Sequence, residues 1–232
     1  VVCGTRSQYD ARMKRELPIS LEYFSDVLCV WAYVGHVRLV ELEQAFAAEV
    51  AVDCHFIDVF GDARGKLAAS WADRGGLEAY GAHVRGVVER FDHVTLHSDV
   101  WTRCQPTSSM GCHILLAAVK LLDPSLFRTT AWALREAFFA DGLDISQRRH
   151  QLEVAERVGL PSHELEAILG SGRAHAELSR GQRSARRHGV EVSPTFVFDD
   201  GRERLQGNVG YRVLEANVRE LLHGGEVGRS WC

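Results

Sequence analysis

The feature that most limits what this chain can fold into is a break in periodicity. Strand-like sequence occurs near both ends. Between them, from about residue 62 to 189, almost every segment carries helix-spaced apolar residues. "PISLEYFS" (18–25), "VAVDCHFIDVF" (50–60) and "VEVSPTFVFDD" (190–200) are rich in β-branched and aromatic residues and read as strands. The economical solution is an α/β domain split in sequence, with a helical block inserted between its halves.

The first half reads strand, helix, strand. "VWAYVGHVRLVELEQAFAAE" follows the first strand, and Val34, Val37, Val40, Leu42 and Phe46 give it one apolar face. Such a βαβ unit predicts parallel strands. The dense apolar content of 50–60 predicts a strand buried in the sheet, with Cys54 in its core. In the second half, a turn at Asp199–Gly201 joins 190–200 to "RERLQG" as a hairpin, and "YRVLEANVRELLHG" (211–224) closes as an amphipathic helix. The polar stretch "AHAELSRGQRSARRHG" predicts a surface helix. The expected division is 18–61 with 190–224 as one domain and 62–189 as the insertion. Residues 1–17 read as a flexible arm and 225–232 as a tail.

Net charge is −4, and no extended Lys/Arg block dominates the sequence. This argues against a nucleic-acid partner. No apolar run is long enough to span a bilayer, and "VVCGTRSQYDARMKREL" lacks the apolar centre of a signal peptide. The expectation is a cytoplasmic protein without a membrane partner. The six cysteines are Cys3, Cys29, Cys54, Cys104, Cys112 and Cys232. They form neither a disulfide framework nor a paired zinc-ligand spacing, so free thiols and no metal are expected.

One cysteine has a distinctive position. In "YFSDVLCVWAYVG" (23–35) a strand runs into a turn, and the turn delivers Cys29 to a helix start. Unpaired N–H groups there favour a thiolate nucleophile with a lowered pKa. The other reading is a small buried hydrophobe. Ala32 lies one turn further on the same face, where a second thiol would resolve a mixed disulfide. Its presence excludes a dithiol cycle within 29–32. Asp26 reads either as a buried acid tuning the sulfur or as a turn residue. Trp31 reads as an apolar flank or as packing against the helical block, and His36 as a helix-surface histidine. Ser193–Pro194 begins a strand, where a proline lacks a ladder donor; a cis bond is the expected reason, and the other reading is a trans proline at a strand start.

Three pieces of this sequence resemble the DsbA-like family, and within it the cytosolic FrnE-like branch. That branch is related to 2-hydroxychromene-2-carboxylate isomerases and kappa-class glutathione transferases. The pieces are "YFSDVLCVWAYVG", "REAFFADGLDIS" with "VAERVGL", and "GVEVSPTFVFDDGRERLQG", and the resemblance spans roughly 18–223. It implies a thioredoxin-like fold with a large all-helical insertion. It also implies that Pro194 faces Cys29, with the Ser193 peptide offered to a bound peptide or glutathione. The family's CPWC stands here as Cys29-Val30-Trp31-Ala32. The glutathione-contacting Ser-Asp pair of kappa-class enzymes falls near Asn208-Val209, without the acid. The family's polar helix start facing the cysteine falls on "CQPTSSMGCHILL" (104–116), near Thr107, Ser108, Cys112 and His113; Thr107 and Ser108 read equally well as helix caps.

What the resemblance implies for function is a monothiol oxidoreductase acting through Cys29. Trp31, Ala32, Ser193, Pro194 and Asn208 would contact a thiol substrate, and Asp26, Cys104, Thr107, Ser108, Cys112 and His113 would be accessory. The expected substrate is a small-molecule or peptide thiol or disulfide. Glutathione or another low-molecular-weight thiol is the expected cosubstrate, with no bound cofactor, and a homodimer is compatible with the sequence. A thiol-dependent isomerase or transferase is the second reading, and a catalytically silent binding module the third. The insertion leaves the sheet near Phe60, so the segment from Cys104 to His113 is expected to roof Cys29. Cys104 or Cys112 then becomes the candidate resolving thiol.

Overall fold

The structure, a computed structural model, describes residues 18–223. The expected arm, the tail, Cys3 and Cys232 lie outside the described residues. Four strands form one mixed sheet: β1 (Ile19–Ser25), β2 (Val50–Phe56), β3 (Thr195–Phe198) and β4 (Glu203–Gln206). Their spatial order is β2-β1-β3-β4. β1 pairs parallel with β2, from Ile19 opposite Val50 to Ser25 opposite Phe56. β3 runs antiparallel to both β1 and β4. Strands from the two ends of the chain therefore meet, as the sequence predicted.

Between β1 and β2 lie α1 (Val30–Val34) and α2 (His36–Ala45). The sequence predicted one helix here, and Gly35 divides it. A Cβ on Gly35 would stand 2.8 Å from the Trp31 carbonyl oxygen, so the close approach at this junction needs glycine. Seven α-helices lie between β2 and β3: α3 (Ala63–Trp71), α4 (Gly76–Val88), α5 (Met110–Leu122), α6 (Phe127–Phe139), α7 (Arg148–Arg157), α8 (Ser162–Gly170) and α9 (Arg173–Arg187). Among the described residues the last element is α10 (Tyr211–His223).

The strands alternate as a sheet covered on both faces should. Ile19, Leu21 and Tyr23 of β1 pack with Phe196 and Phe198 against Leu39 and Leu42 of α2 and Leu214, Val218 and Leu221 of α10. On the other face Phe24 and Val197 meet Ala185 of α9 and Val190. β2 departs from its prediction. It is an edge strand, and its residues alternate between buried, partly buried and exposed. Cys54 is partly buried at the margin of two cores rather than central to one.

Two other predicted strand ends are irregular. Residues 57–60 leave the ladder, and the N–H groups of Val59 and Phe60 turn inward to a buried acid described below. Residues 191–194 form the bend that delivers Pro194, so β3 begins only at Thr195. The hairpin turn holds Asp199, Asp200 and Gly201 at positive φ. As predicted, α9 is a surface helix with a narrow buried stripe of Ala174, Leu178, Gly181 and Ala185.

Candidate active site

Cys29 is the residue before α1, with extended backbone (φ −80°, ψ 117°). Its N–H donates to the Asp26 carbonyl at 3.1 Å, and its own carbonyl accepts from Ala32 and Tyr33. Tyr33 anchors the helix: its hydroxyl donates to the Thr95 carbonyl, and its ring stacks on Phe139 and Trp132. The Cys29 thiol is only 6% exposed and donates to the Ser193 carbonyl at 3.2 Å. The Ser193–Pro194 peptide is cis. The proline segment thus stands directly opposite the sulfur, as the sequence predicted. Ala32 is fully buried. Trp31 is half-buried, with the Arg90 guanidinium 5.3 Å from its ring centroid.

Asp26 is a fully buried acid at the start of the turn that precedes Cys29. Its N–H donates to Ser193 Oγ at 2.8 Å, which ties the cysteine turn to the proline segment. Its carboxylate is fully buried and accepts four donors: the N–H groups of Leu28 (2.9 Å), Val59 (3.1 Å) and Phe60 (2.8 Å), and the Ser109 hydroxyl (2.8 Å). Burial pushes this carboxyl up, but the adjacent His113 ring and the N–H donors hold it below the usual range. The N–H donors are the firmer of these influences. His113 Nε2 is 3.7 Å from Oδ1, beyond a hydrogen bond, and it accepts the Val27 N–H at 3.2 Å. The His113 ring also stacks on Phe56, and its Nδ1 is buried with no partner.

The thiol itself departs from expectation. Burial pushes Cys29 up and outweighs the lowering influence of Ser193 and of the N–H groups of Ala32 and Trp31; the charge on Asp26 adds to the rise. The sequence predicted a lowered pKa from the helix start. But α1 has only five residues, and the sulfur is shut in beside an ionised acid.

The other predicted residues divide. The segment 107–113 meets the cysteine turn at two points, the Ser109 hydroxyl donating to Asp26 and His113 Nε2 accepting the Val27 N–H; it also pairs with 60–63, where Ala63 N–H donates to the Thr107 carbonyl and Ser109 N–H to the Phe60 carbonyl. Thr107 is exposed, and Ser108 Oγ accepts the Met110 N–H as a local cap. Cys112 is fully buried and donates to the Ile145 carbonyl at 3.0 Å, and burial pushes its thiol far up. Cys104 sits half-buried in the Asp99–Cys104 turn; burial and then Asp144 and Asp99 push it up to about 11. Both thiols are free. Asn208 accepts from Arg38 of α2 through its side chain. His36 is a correction. It is not a free surface histidine but stacks on Trp132, with Nδ1 3.4 Å from Arg135 Nη1. Burial, then Arg135 and Arg128, push it down to about 3.

Sequence reasoning missed Ser109 and Tyr80. Ser109 is the third polar residue in "TSS", and nothing local marks it as the one that reaches Asp26. Tyr80 of α4 is buried among Phe60, Trp71 and Trp101, and negative charge on Cys29 or Asp26 would push its phenol up further. In "LEAYGAHVRGVV" it reads as an ordinary apolar-face residue. Together these aromatic rings wall the site from the α3–α4 side.

Comparison with known proteins bears on the fold and the family. A curated relative, the ClpXP adapter protein SpxH of Halalkalibacterium halodurans, is 25% identical, covering 95% of this chain and 74% of the relative. The cytosolic disulfide reductase DsbM of Pseudomonas aeruginosa superposes with a TM-score of 0.63 at 20% identity, over 86% of this chain and 98% of that one. A 2-hydroxychromene-2-carboxylate isomerase superposes at 0.65 and 18% identity, over 87% and 95%. These solved structures share the fold, a thioredoxin-like sheet with added helices. Residues 20–219 match the DSBA-like thioredoxin domain, and the chain belongs to that family of thiol–disulfide oxidoreductases.

Proposed function

We propose that the protein is a monothiol oxidoreductase in which Cys29 exchanges disulfides with a low-molecular-weight thiol. The observation that carries this reading is the Cys29 sulfur 3.2 Å from the Ser193 carbonyl, with buried Ala32 where a second thiol would stand. The Cys29 thiolate attacks one sulfur of a disulfide. A Cys29–substrate disulfide forms, the substrate's own S–S bond breaks, and the other half leaves as a thiolate. A second, external thiolate then attacks the substrate sulfur, and Cys29 leaves with the electron pair and is reprotonated. An external thiol is favoured because Cys112 is engaged with Ile145 and Cys104 lies in a separate turn. Glutathione or an analogue in a reducing cytosol fits this cycle. The similarity to a cytosolic reductase supports that setting. No helix among the described residues is long and apolar enough to cross a membrane.

The test is intact-mass analysis after exposure to oxidised glutathione. One glutathione per chain, located on Cys29 and released by excess thiol, is expected. No adduct on Cys29 at any pH up to 9 would defeat the reading.

A second reading is a silent binding scaffold, favoured by the closed, proton-retaining sulfur and by the adapter named among its relatives. It predicts that Cys29→Ser leaves partner binding unchanged. The resemblance to an isomerase keeps thiol-dependent isomerisation as a third. It would leave the redox state of the cosubstrate unchanged after turnover.

A further inference from the structure

Two arginines stand at the rim of the Cys29 site, and the exchange chemistry does not use them. Arg38 lies on α2, and Arg90 lies in the turn after α4. The Arg90 guanidinium is 5.3 Å from the ring centroid of Trp31, two residues along from Cys29. Arg38 donates to the Asn208 side chain and, at 2.8 Å, to the Val209 carbonyl. That loop is tied to the proline segment, because the Gly207 N–H donates to the Pro194 carbonyl at 2.8 Å. Phe91 joins the two arginines. It follows Arg90 in sequence, and its ring centroid lies 5.7 Å from the Arg38 guanidinium. The contacts therefore run unbroken from Trp31, beside Cys29, to Pro194, across from it.

Neither guanidinium is neutralised. Arg128, Arg180, Arg187 and Arg219 each meet a carboxylate. Among the described residues Arg38 and Arg90 meet none. The acids nearest to them in sequence, Glu41, Glu89 and Asp92, form no ion pair with either. Arg90 is exposed and Arg38 partly buried, so both are open to a ligand. Burial pushes Arg38 below its ordinary value, and a guanidinium stays charged regardless. Each rests on an aromatic ring, which occupies a face of the guanidinium and leaves its N–H edges for a planar anion.

The chemistry gives such charges a purpose. Asp26 is a buried, ionised neighbour of the sulfur, and the attacking form of Cys29 is itself an anion. Both repel an anionic substrate. Two unpaired cations on the rim offset that repulsion, and carboxylate is the group that a guanidinium edge binds best.

We propose that Arg38 and Arg90 select the substrate of Cys29, and that this substrate is a thiol or disulfide carrying carboxylates. The selection rests on the exchange reading above. In that step the Cys29 thiolate attacks one substrate sulfur, the substrate S–S bond breaks, and the other half leaves as a thiolate. The arginines make and break no bond; they draw the carboxylates to the rim.

The test uses the full chain and three disulfides: oxidised glutathione, its tetraethyl ester, which lacks the carboxylates, and bis(2-hydroxyethyl) disulfide. Formation of the Cys29 adduct is followed by intact mass. Each rate is divided by that of the same disulfide with 2-mercaptoethanol, which removes differences between the leaving thiols. At low salt oxidised glutathione should exceed its ester about fivefold, and high salt should erase most of that ratio. Arg38→Gln and Arg90→Gln should each lower the ratio about twofold, and the double variant should bring it near one. A wild-type ratio near one, or a folded double variant that keeps the wild-type ratio, overturns the selection; adduct formation by bis(2-hydroxyethyl) disulfide would then leave the exchange reading standing. If none of the disulfides modifies Cys29, the exchange reading fails and the selection falls with it. Arg38→Gln loses its bonds to residues 208 and 209. If it does not fold, Arg90→Gln, altered only at an exposed side chain, decides alone.

Discussion

Ser193 holds Cys29 and Asp26 at once: its carbonyl accepts the Cys29 thiol at 3.2 Å, and its hydroxyl oxygen accepts the Asp26 N–H at 2.8 Å. The cysteine, the buried acid and the proline segment are therefore one unit. A change at any of the three should be read at the sulfur.

Cys29 should react slowly at neutral pH. Its thiol is pushed above the ordinary cysteine value by burial and by Asp26, so the thiolate fraction at pH 7 is smaller than that of a free cysteine and grows as pH rises. Alkylation by iodoacetamide, followed by peptide mapping from pH 6 to 10, should show Cys29 lagging a denatured control at pH 7. Labelling as fast as the control would contradict this. Asp26→Asn removes a negative charge near the sulfur. It should shift the profile to lower pH, and an unchanged profile would mean that the acid does not act on the thiol.

Asp26→Ala should destabilise the fold. It removes the acceptor of the buried Leu28 and Phe60 N–H groups, of the partly buried Val59 N–H and of the Ser109 hydroxyl. Leaving such donors unpaired costs about 3 kcal/mol in all, or roughly 6–12 °C in Tm. Urea titration measures it, and a loss under about 1 kcal/mol would show that solvent replaces the acid.

Ala32→Cys should install a second thiol on the face of α1 that carries Cys29. A 29–32 disulfide should then form under mild oxidant, with reduction of model disulfides by the reduced form. Ala32 is fully packed, so the added sulfur should cost about 1–3 kcal/mol. A folded variant that forms no such bond would displace the helix start assigned here.

His36 should make stability fall in mild acid. Its folded pKa, about 3, lies below the unfolded value near 6.5, so the unfolded chain binds more protons in that window. The stability it contributes is complete above about pH 6.5 and is lost as pH falls toward 3. His36→Phe retains a ring against Trp132 and should flatten the pH dependence of ΔG between pH 4 and 6.5. An equal slope in the variant would place the titrating group elsewhere.

The sequence by itself determined the features that are local or periodic. The β1–α1 turn presenting Cys29, the Pro194 bend, the Asp199–Gly201 turn and the amphipathic α10 follow from residue type and spacing, because each is decided within a few residues of backbone. A common sheet for strands from both chain ends followed as well, whereas the pairing of β1 with β3 within it came from the fold. The tertiary structure decided what depends on partners distant in sequence. Only the folded chain makes β2 an edge strand, selects Ser109 over Ser108 as the donor to Asp26, and sets Arg135 beside His36. The Cys29 thiol shows the division most clearly. The helix start, visible in sequence, supplies N–H groups that lower its pKa. Burial, which no single segment encodes, raises it, and in the folded protein burial is the larger effect.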